Sequence, residues 1–366
     1  ASRLHGAGDS LELHLLIVRS LLLAVTLGTL VIAVSPWLIP WGTKIIAGNN
    51  QASFDASVYA SIRIWSAPAS LCTYAIAGWF IGRQNTLVTA VLLVSTNCLN
   101  IVLDLVLIIG WGLESRGAAY ASAISEYFGL AIAIGFFLKT RTPQNWKLSW
   151  AKLFEPSALK TLFTLNAQIT VRTFALVMTT TFFVSMSSRF GETTLAANAI
   201  LISLLYLTAF GMDGIANATE ALVGKAVGER NHSNLKQVIR ESMLLAFIFS
   251  LLFSLVFMLG KTSIIGLYTN LTDVSASAAL YMPWLILIPL VSFWGFQFDG
   301  IFIGMGLARE MMLSMLFSVI FIFFPIWWLS QTLDNHGLWL AMCSWYLGRS
   351  ISQGYLLRKK LTHKLS

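Results

Sequence analysis

The chain has 366 residues, of which 57% are hydrophobic and 11% are charged. A soluble domain has roughly a quarter of its residues charged, so this composition excludes a soluble globular protein and indicates a polytopic membrane protein. The formal net charge of +8 is expected to reflect basic loops in contact with membrane lipid, and no nucleic-acid partner is expected.

Apolar windows of roughly 20 residues recur along the chain, and each is long enough to cross a hydrocarbon core of about 30 Å. Backbone amides have no water partner in lipid, so each window is predicted to form a helix. The predicted fold class is therefore all-α. The ten predicted spans lie, in chain order, near residues 13–34, 57–80, 87–109, 117–138, 160–187, 194–222, 237–259, 278–304, 311–330 and 337–357.

The sizeable polar break between spans covers residues 139–155, which are basic, contain Pro143 and carry two tryptophans. Such a composition is typical of a segment at the membrane interface. We therefore predict an N-terminal lobe of four helices over 1–140, a cytoplasmic linker over 141–156 and a C-terminal lobe of six helices over 157–366.

Basic residues are concentrated in alternate connections between the spans. One set of connections contains most of them and includes the tail Arg358-Lys359-Lys360. Because cytoplasmic loops carry an excess of Lys and Arg, we expect this set and the C-terminus to be cytoplasmic, with the protein in the inner (plasma) membrane. The alternate set carries only Lys44, Arg116, Arg189 and Lys261.

Residues 1–140 match residues 220–360, which predicts an internal duplication. Each copy contains an even number of helices, so the two copies are expected to be parallel repeats. Two further spans between Pro156 and Val223 precede the second copy, and their counterparts would fall before Ala1, so we expect a twelve-helix plan without its first two helices. The matched residues are Gly78–Gly82 with Gly300–Gly304 at an offset of 222, Gly8-Asp9 with Gly228-Glu229 at 220, Arg19 with Arg240 at 221, and Gly117 with Gly337 at 220.

Charged side chains inside apolar spans are candidates for function, because each costs at least ~2.5–3.5 kcal/mol on insertion scales. The N-terminal lobe has Asp104 and Glu126. The repeat aligns Asp104 with Ile326 and Asp299 with Ala77, and this asymmetry favours a role specific to one lobe. The candidates of the C-terminal lobe are Arg172, Asp213, Glu220, Asp299 and Arg349.

Asn100 and Asp104 are four residues apart and therefore share a helix face. With a hydroxyl from a neighbouring helix they would form an oxygen-rich pocket for Na⁺ or a proton-accepting carboxylate. The alternative is a polar patch that joins two helices.

Asp213 and Glu220 are seven residues apart and also share a face. Arg172 and Arg349 lie near mid-span, where each is an expected counter-ion for Asp213 or Asp299. For the arginines, structural pairing is favoured over contact with a substrate.

The sequence shows no pattern that predicts an enzyme, a cofactor or a structural metal site. Five histidines have no metal-ligand spacing, and three cysteines are scattered within the spans. We find no nucleophile elbow and no complete phosphate-binding loop.

Five segments resemble the multidrug and toxic compound extrusion (MATE) family of transporters. Asn198–Leu201, Phe210–Gly214 and Glu220–Gly228 resemble the eighth helix of the family, and Phe298–Gly304 resembles the tenth. Leu165–Arg172 is similar to the seventh helix of the DNA-damage-inducible F (DinF) subgroup. The resemblance extends over essentially the whole chain and implies two lobes of six helices that form a V.

The resemblance also implies site residues. Asn100, Asp104 and Ser122 match the family's cation site in the N-terminal lobe, and Asp299 matches an aspartate of the tenth helix. The fourth member of the cation site, an aspartate on the first helix, has no position in this chain.

These observations predict a monomeric secondary transporter that exchanges organic, cationic and amphipathic drugs or toxic metabolites for H⁺ or Na⁺. We expect Asp299 to take part in coupling, and Arg172, Arg349 and Asp213 to be structural. The alternatives are a lipid-linked precursor flippase of the same superfamily and a truncated protein that does not transport.

Overall fold

The structure is a computed structural model that describes residues 1–47, 51–140 and 150–365, and no strand occurs among them. The all-α prediction is confirmed for this part of the chain. Two compact units are present, an N-terminal unit of Ala1–Pro156 and a C-terminal unit of Ser157–Ser366.

The N-terminal unit packs its long helices around a small apolar core that includes Ile17, Ile76, Phe80 and Leu92. A π-helical segment, Leu105–Gly110, continues the fifth helix. The helices are α1 (Ser2–Gly6), α2 (Ser10–Ala47), α3 (Gln51–Arg63), α4 (Ala67–Gly82), α5 (Thr86–Asp104), α6 (Glu114–Lys139) and α7 (Trp150–Leu153).

The predicted linker over 141–156 is described from residue 150 onward, and its remainder lies outside the described residues. Its described end is held by Arg19 of α2, which is 5% exposed. Arg19 donates Nε to the carbonyl of Leu153 at 3.0 Å and Nη2 to that of Lys152 at 2.5 Å, and its Nη1 pairs with Glu12 at 2.9 Å. This end of the linker therefore belongs to the N-terminal unit.

The C-terminal unit is built around one deeply buried helix, α12, which packs against α9, α10 and α15. A π-helical segment, Val319–Phe323, separates α13 from α14. The helices are α8 (Pro156–Ser187), α9 (Glu192–Gly228), α10 (His232–Leu259), α11 (Lys261–Tyr268), α12 (Thr272–Met305), α13 (Ala308–Ser318), α14 (Phe324–Leu329) and α15 (Asp334–Leu365).

Two glycines four residues apart on α12 allow it to cross α9 at close range. A Cβ at Gly300 would overlap the carbonyl oxygen of Ala216, and one at Gly304 would lie 2.8 Å from that of Glu220. Small residues permit such backbone contact between helices in a membrane. The matching Gly78 of the N-terminal unit has nothing within 4 Å of an added Cβ.

The backbone turns carry the internal repeat. Each unit has four described residues with positive φ, and three of those in the second unit follow a counterpart in the first by 222 positions. This constant offset supports the predicted duplication, because the same unusual backbone geometry recurs in the same order. The pairs are Gly8 and Arg230, Gln84 and Gly306, and Gly112 and Asp334.

Nine helical segments of the described chain are long and apolar enough to cross a membrane. They match the first nine predicted spans. The tenth prediction, 337–357, falls in α15, which is long but not among these nine because it turns polar side chains towards the interior of its unit. Arg349 and Gln353 of α15 are 1% and 0% exposed. The nine segments are Ser10–Thr43, Phe54–Gly82, Thr86–Gly110, Glu114–Lys139, Ala151–Phe190, Glu192–Gly228, His232–Leu259, Thr272–Met305 and Ala308–Leu329.

Candidate functional site

Asp299 of α12 is the centre of a buried charge cluster in the C-terminal unit. Its Oδ2 accepts hydrogen bonds from Nη2 of Arg172 on α8 and from Nη2 of Arg349 on α15. Its Oδ1 accepts from Nε2 of Gln353 at 2.6 Å. Three helices thus meet at one carboxylate, and the expected pairing between an aspartate and an arginine is present.

The helix spacing explains how these groups come together. Arg349 and Gln353 are one turn apart on α15, so both face the same carboxylate. Arg349 also donates to the carbonyl of Gly295 at 3.2 Å, one turn before Asp299 on α12. Its guanidinium carbon lies 5.3 Å from the centre of the Phe296 ring. Gln353 was not predicted from the sequence. Its position four residues after Arg349, on the same face of the helix, was the feature that could have identified it.

The cluster carries a formal charge of +1, because one aspartate faces two arginines. Nε of Arg172 and both Nε and Nη1 of Arg349 are buried and have no hydrogen-bond partner among the described residues. Buried charges of this kind are tolerated when they are paired and hydrogen-bonded. Asp299 therefore compensates two cations at once.

Asp213 and Glu220 of α9, both predicted to belong to the charge network, make no direct contact with this cluster, although Asp213 lies within electrostatic range of Asp299, Arg172 and Arg349. The Asp213 side chain is exposed and the Glu220 side chain is half-buried. Within the described chain, neither carboxylate has an ion pair or a side-chain hydrogen bond. The two arginines are shared by Asp299 alone, so they are not counter-ions of Asp213 by contact.

In the N-terminal unit, α5 and α6 bring together two of the three predicted cation-site residues. Nδ2 of Asn100 donates to Oγ of Ser122 over a long 3.4 Å. Asp104 is half-buried, and its Oδ1 is fully buried without a hydrogen-bond partner in the described part of the chain. The structure therefore shows Asn100 and Ser122 in contact, while Asp104 lies one turn away with a free acceptor.

Local backbone features fix this polar face. Asp104 is the last residue of regular α-helix before the π-helical segment, and such segments are frequent at functional sites. Further along the same pair of helices, a Cβ at Gly129 would lie 2.5 Å from Oγ1 of Thr96. The glycine thus lets α6 approach α5 closely enough for Asn100 to reach Ser122.

Glu126 of α6 is neutralised by a residue that the sequence argument did not select. Nη2 of Arg63 at the end of α3 lies 3.0 Å from Oε1 of Glu126, with the side chains 32% and 19% exposed. Glu126 is one turn after Ser122, so a polar strip runs from α5 across α6 to α3. With Glu126 paired, Asp104 leaves this strip with a formal charge of −1.

A further buried polar group surrounds Asn198, which the sequence marked only as the start of a segment that resembles the family. Asn198 of α9 exchanges hydrogen bonds with Asn335 of α15 at 2.7 and 3.1 Å. It also accepts from Nε1 of Trp339 at 2.9 Å and donates to Oγ of Ser187 at 2.8 Å. Asn198 is 1% exposed, so its amide links α8, α9 and α15 at one end of the C-terminal unit.

The family model that matches the chain is MatE, which covers residues 1–106 and 169–329. The chain belongs to the MatE family, the multidrug and toxic compound extrusion transporters. It is similar to DNA damage-inducible protein F of Escherichia coli (strain K12), with 34% identity over 365 residues, 97% of this chain and 77% of that protein. The predicted family and the DinF-like resemblance are thereby confirmed.

The chain is also similar to plant relatives, and solved structures share its fold. Protein DETOXIFICATION 43 of Arabidopsis thaliana is 24% identical over 338 residues, 90% of this chain and 62% of that protein. A MOP superfamily transporter from Pyrococcus furiosus superposes with a TM-score of 0.89 at 21% identity, over 99% of this chain and 81% of that one. A MATE transporter from Vibrio cholerae gives a TM-score of 0.84 at 19% identity, over 99% and 82%. The fold is that of MATE transporters.

This MatE protein is therefore a multi-span membrane transporter and not an enzyme, as predicted. Its homologues include proteins named as multidrug resistance proteins, such as NorM of Bacillus anthracis, which is 30% identical over 233 residues, 60% of this chain and 50% of that protein.

Proposed function

We propose that this MatE protein is a secondary active efflux transporter of the inner membrane that exports organic, cationic and amphipathic compounds in exchange for H⁺ or Na⁺. The observation that carries the proposal is Asp104, a carboxylate in a membrane helix with a buried and unpaired oxygen. An intramembrane carboxylate without a partner is a costly group, and its usual role is in an ion pathway. The transporter acts as a monomer with its C-terminus in the cytoplasm.

Asp104 is the coupling carboxylate. Asn100 lies one turn before it on α5, and Ser122 of α6 contacts Asn100; oxygen ligands of this kind suit Na⁺, whereas the carboxylate alone suffices for H⁺. The formal charge of −1 on the polar strip attracts a cation, because Glu126 is already paired with Arg63 and Asp104 is left unpaired. The coupling ion and a cationic substrate then repel each other, so the binding of one weakens the binding of the other. This competition produces exchange.

Asp299 has a different role in this proposal, which changes the expectation drawn from the sequence. Its two oxygens already accept from three donors, so it is a structural centre and not a coupling group. The same contacts argue against the flippase alternative. Arg172 and Arg349 are engaged with Asp299, and a pyrophosphate head group would require free arginines.

The test is ion-driven export by the purified protein in proteoliposomes, with a pH gradient and a Na⁺ gradient imposed separately. The Asp104→Asn variant should fold in normal yield and lose at least about tenfold in export with either gradient, because it has no exchangeable charge. Asp273→Asn is the matched control, since this aspartate is exposed in the first turn of α12. Wild-type export with unchanged ion dependence in Asp104→Asn would remove Asp104 from the mechanism.

A further inference from the structure

A cavity of about 130 Å³ lies at one end of the C-terminal unit, and it shares no residue with the Asp299 cluster. Buried Leu338 and half-buried Met186 provide apolar lining, and Phe190 and Trp327 add aromatic surfaces. An engineered cavity of about 150 Å³ in another protein accepts benzene. This cavity therefore accommodates a phenyl ring or a branched aliphatic side chain, and not a whole drug molecule.

Two opposite charges line the same cavity, Arg189 after α8 and Asp334 at the start of α15. Both side chains are exposed, and neither forms an ion pair or a hydrogen bond with any described residue. An arginine fork suits a carboxylate, and an aspartate suits an ammonium group. Ser330 and Gln331 also line the cavity. Its apolar and aromatic part, with both charges beside it, is complementary to a zwitterion that carries an apolar side group.

The backbone at Asp334 provides an independent argument. Asp334 has φ +50° and ψ −130°, a conformation that glycine adopts without strain and other residues rarely adopt. Its counterpart in the internal repeat is Gly112, with φ +67°. Glycine is thus compatible with this turn, and the aspartate is present despite the strain. Such outliers are concentrated at ligand sites, where the side chain has a function.

The surrounding contacts hold the strained turn in place. The reciprocal hydrogen bonds between Asn198 and Asn335 fix the residue that follows Asp334. Oγ of Ser330 donates to the carbonyl of Gly337 at 3.1 Å, and a Cβ at Gly337 would overlap the carbonyl oxygen of Ser330. Asp334 is therefore presented on a rigid turn, as a preformed binding site requires.

We propose that this cavity binds a small zwitterion of the free amino-acid class with an aromatic or branched apolar side chain. Arg189 donates to the ligand carboxylate, Asp334 accepts from its ammonium group, and the side chain fills the apolar cavity. None of these residues belongs to the coupling site at Asp104, so the inference goes beyond the transport proposal and is tested by equilibrium binding.

The test measures binding of L-phenylalanine, 2-phenylethylamine and 3-phenylpropanoate to the purified protein in nanodiscs, by calorimetry and by the shift in unfolding temperature. L-phenylalanine should bind at least about tenfold more tightly than either analogue with a single charge, because each analogue leaves one charge of the site unsatisfied. Arg189→Gln should weaken L-phenylalanine binding about tenfold and leave 2-phenylethylamine binding unchanged.

Asp334→Gly separates the ligand role from a role in starting the helix. Relief of the strain should raise the unfolding temperature of the ligand-free protein by about 2–4 °C, while L-phenylalanine affinity falls about tenfold and 3-phenylpropanoate affinity stays unchanged. Arg230→Gly is the matched control. Arg230 has φ +54° and its repeat counterpart is Gly8, so this change should raise the unfolding temperature without affecting binding.

Asp334→Asn keeps a side chain at the strained position and should lower L-phenylalanine affinity without the rise in unfolding temperature. A lower unfolding temperature of Asp334→Gly would show that the aspartate serves the start of α15. Equal L-phenylalanine affinity in the wild type and in Arg189→Gln, or no binding of L-phenylalanine to the wild type, would also overturn the proposal.

Discussion

Replacement of Asp299 by asparagine tests whether this carboxylate is a structural centre. The change keeps the shape of the side chain and removes the single negative charge that faces Arg172 and Arg349. The formal charge of the cluster rises from +1 to +2 in a region where Arg349 is 1% exposed. Asp299 accepts hydrogen bonds from three donors. The NH₂ group of an asparagine at this position would face at least one of these donors and could not accept from it.

The expected loss of stability is large. Removal of one partner of a buried ion pair costs about 3–5 kcal/mol, because the remaining charge is left uncompensated. A unit of this size loses about 2–4 °C of unfolding temperature per kcal/mol, so the unfolding temperature of Asp299→Asn should fall by roughly 6–20 °C. Combined with Arg172→Met, Asp299→Asn should cost less than it does alone, since one of the two stranded cations is removed with it.

The assay is thermal unfolding of the purified protein in detergent, monitored by tryptophan fluorescence. Glu229→Gln is the control, because Glu229 pairs with Lys225 at 3.9 Å with side chains 35% and 37% exposed. Exposed pairs contribute about 0–1 kcal/mol, so this variant should unfold within a few degrees of the wild type. If Asp299→Asn keeps wild-type stability and its export loses its dependence on pH or Na⁺, Asp299 is a coupling group and the structural interpretation is refuted.

Two further predictions concern packing. Gly300→Ala should destabilise the protein by about 1–3 kcal/mol, because the new Cβ would overlap a carbonyl oxygen of the crossing helix. The repeat-matched Gly78→Ala should stabilise it by roughly 0.5–1 kcal/mol, because nothing lies within 4 Å of a Cβ at that position. Equal effects in thermal unfolding would refute the crossing. Asn198→Leu leaves the side chains of Asn335 and Trp339 without their hydrogen-bond acceptor. Each of these groups should lower the free energy of unfolding by about 1–3 kcal/mol. A loss within about 0.5 kcal/mol of zero in thermal unfolding would contradict the link that Asn198 makes between helices.

The sequence alone was sufficient for the elements and for the family. A segment of this apolar length has to form a helix in a membrane, because no water is present to bind its backbone groups. Nine of the ten predicted spans therefore overlap an observed one, although individual ends differ by up to about nine residues. The repeat was visible because glycines at turns and crossings are specified by local backbone geometry. Gly78–Gly82 and Gly300–Gly304 are one such pair of segments.

The tertiary structure decided the pairing of charges. Helix spacing correctly placed Asn100 near the face of Asp104, but the partner of Glu126 is Arg63 of a different helix. Likewise, the sequence left Asp213 and Asp299 as equal candidates for the arginines, and the packing of α12 against its neighbours brought only Asp299 into contact with both of them.

Hydropathy is a property of consecutive residues, whereas the partner of a buried charge depends on the rotation and crossing of helices that are far apart in the chain. For the same reason α15 is less apolar than the nine spans although it is a long helix, since its polar residues face the interior of the unit. The residues at the Arg189–Asp334 cavity come from two segments, 186–190 and 327–338, that are more than 130 positions apart. The sequence thus determined the helices, their order and their duplication, while packing between distant helices decided which polar groups meet.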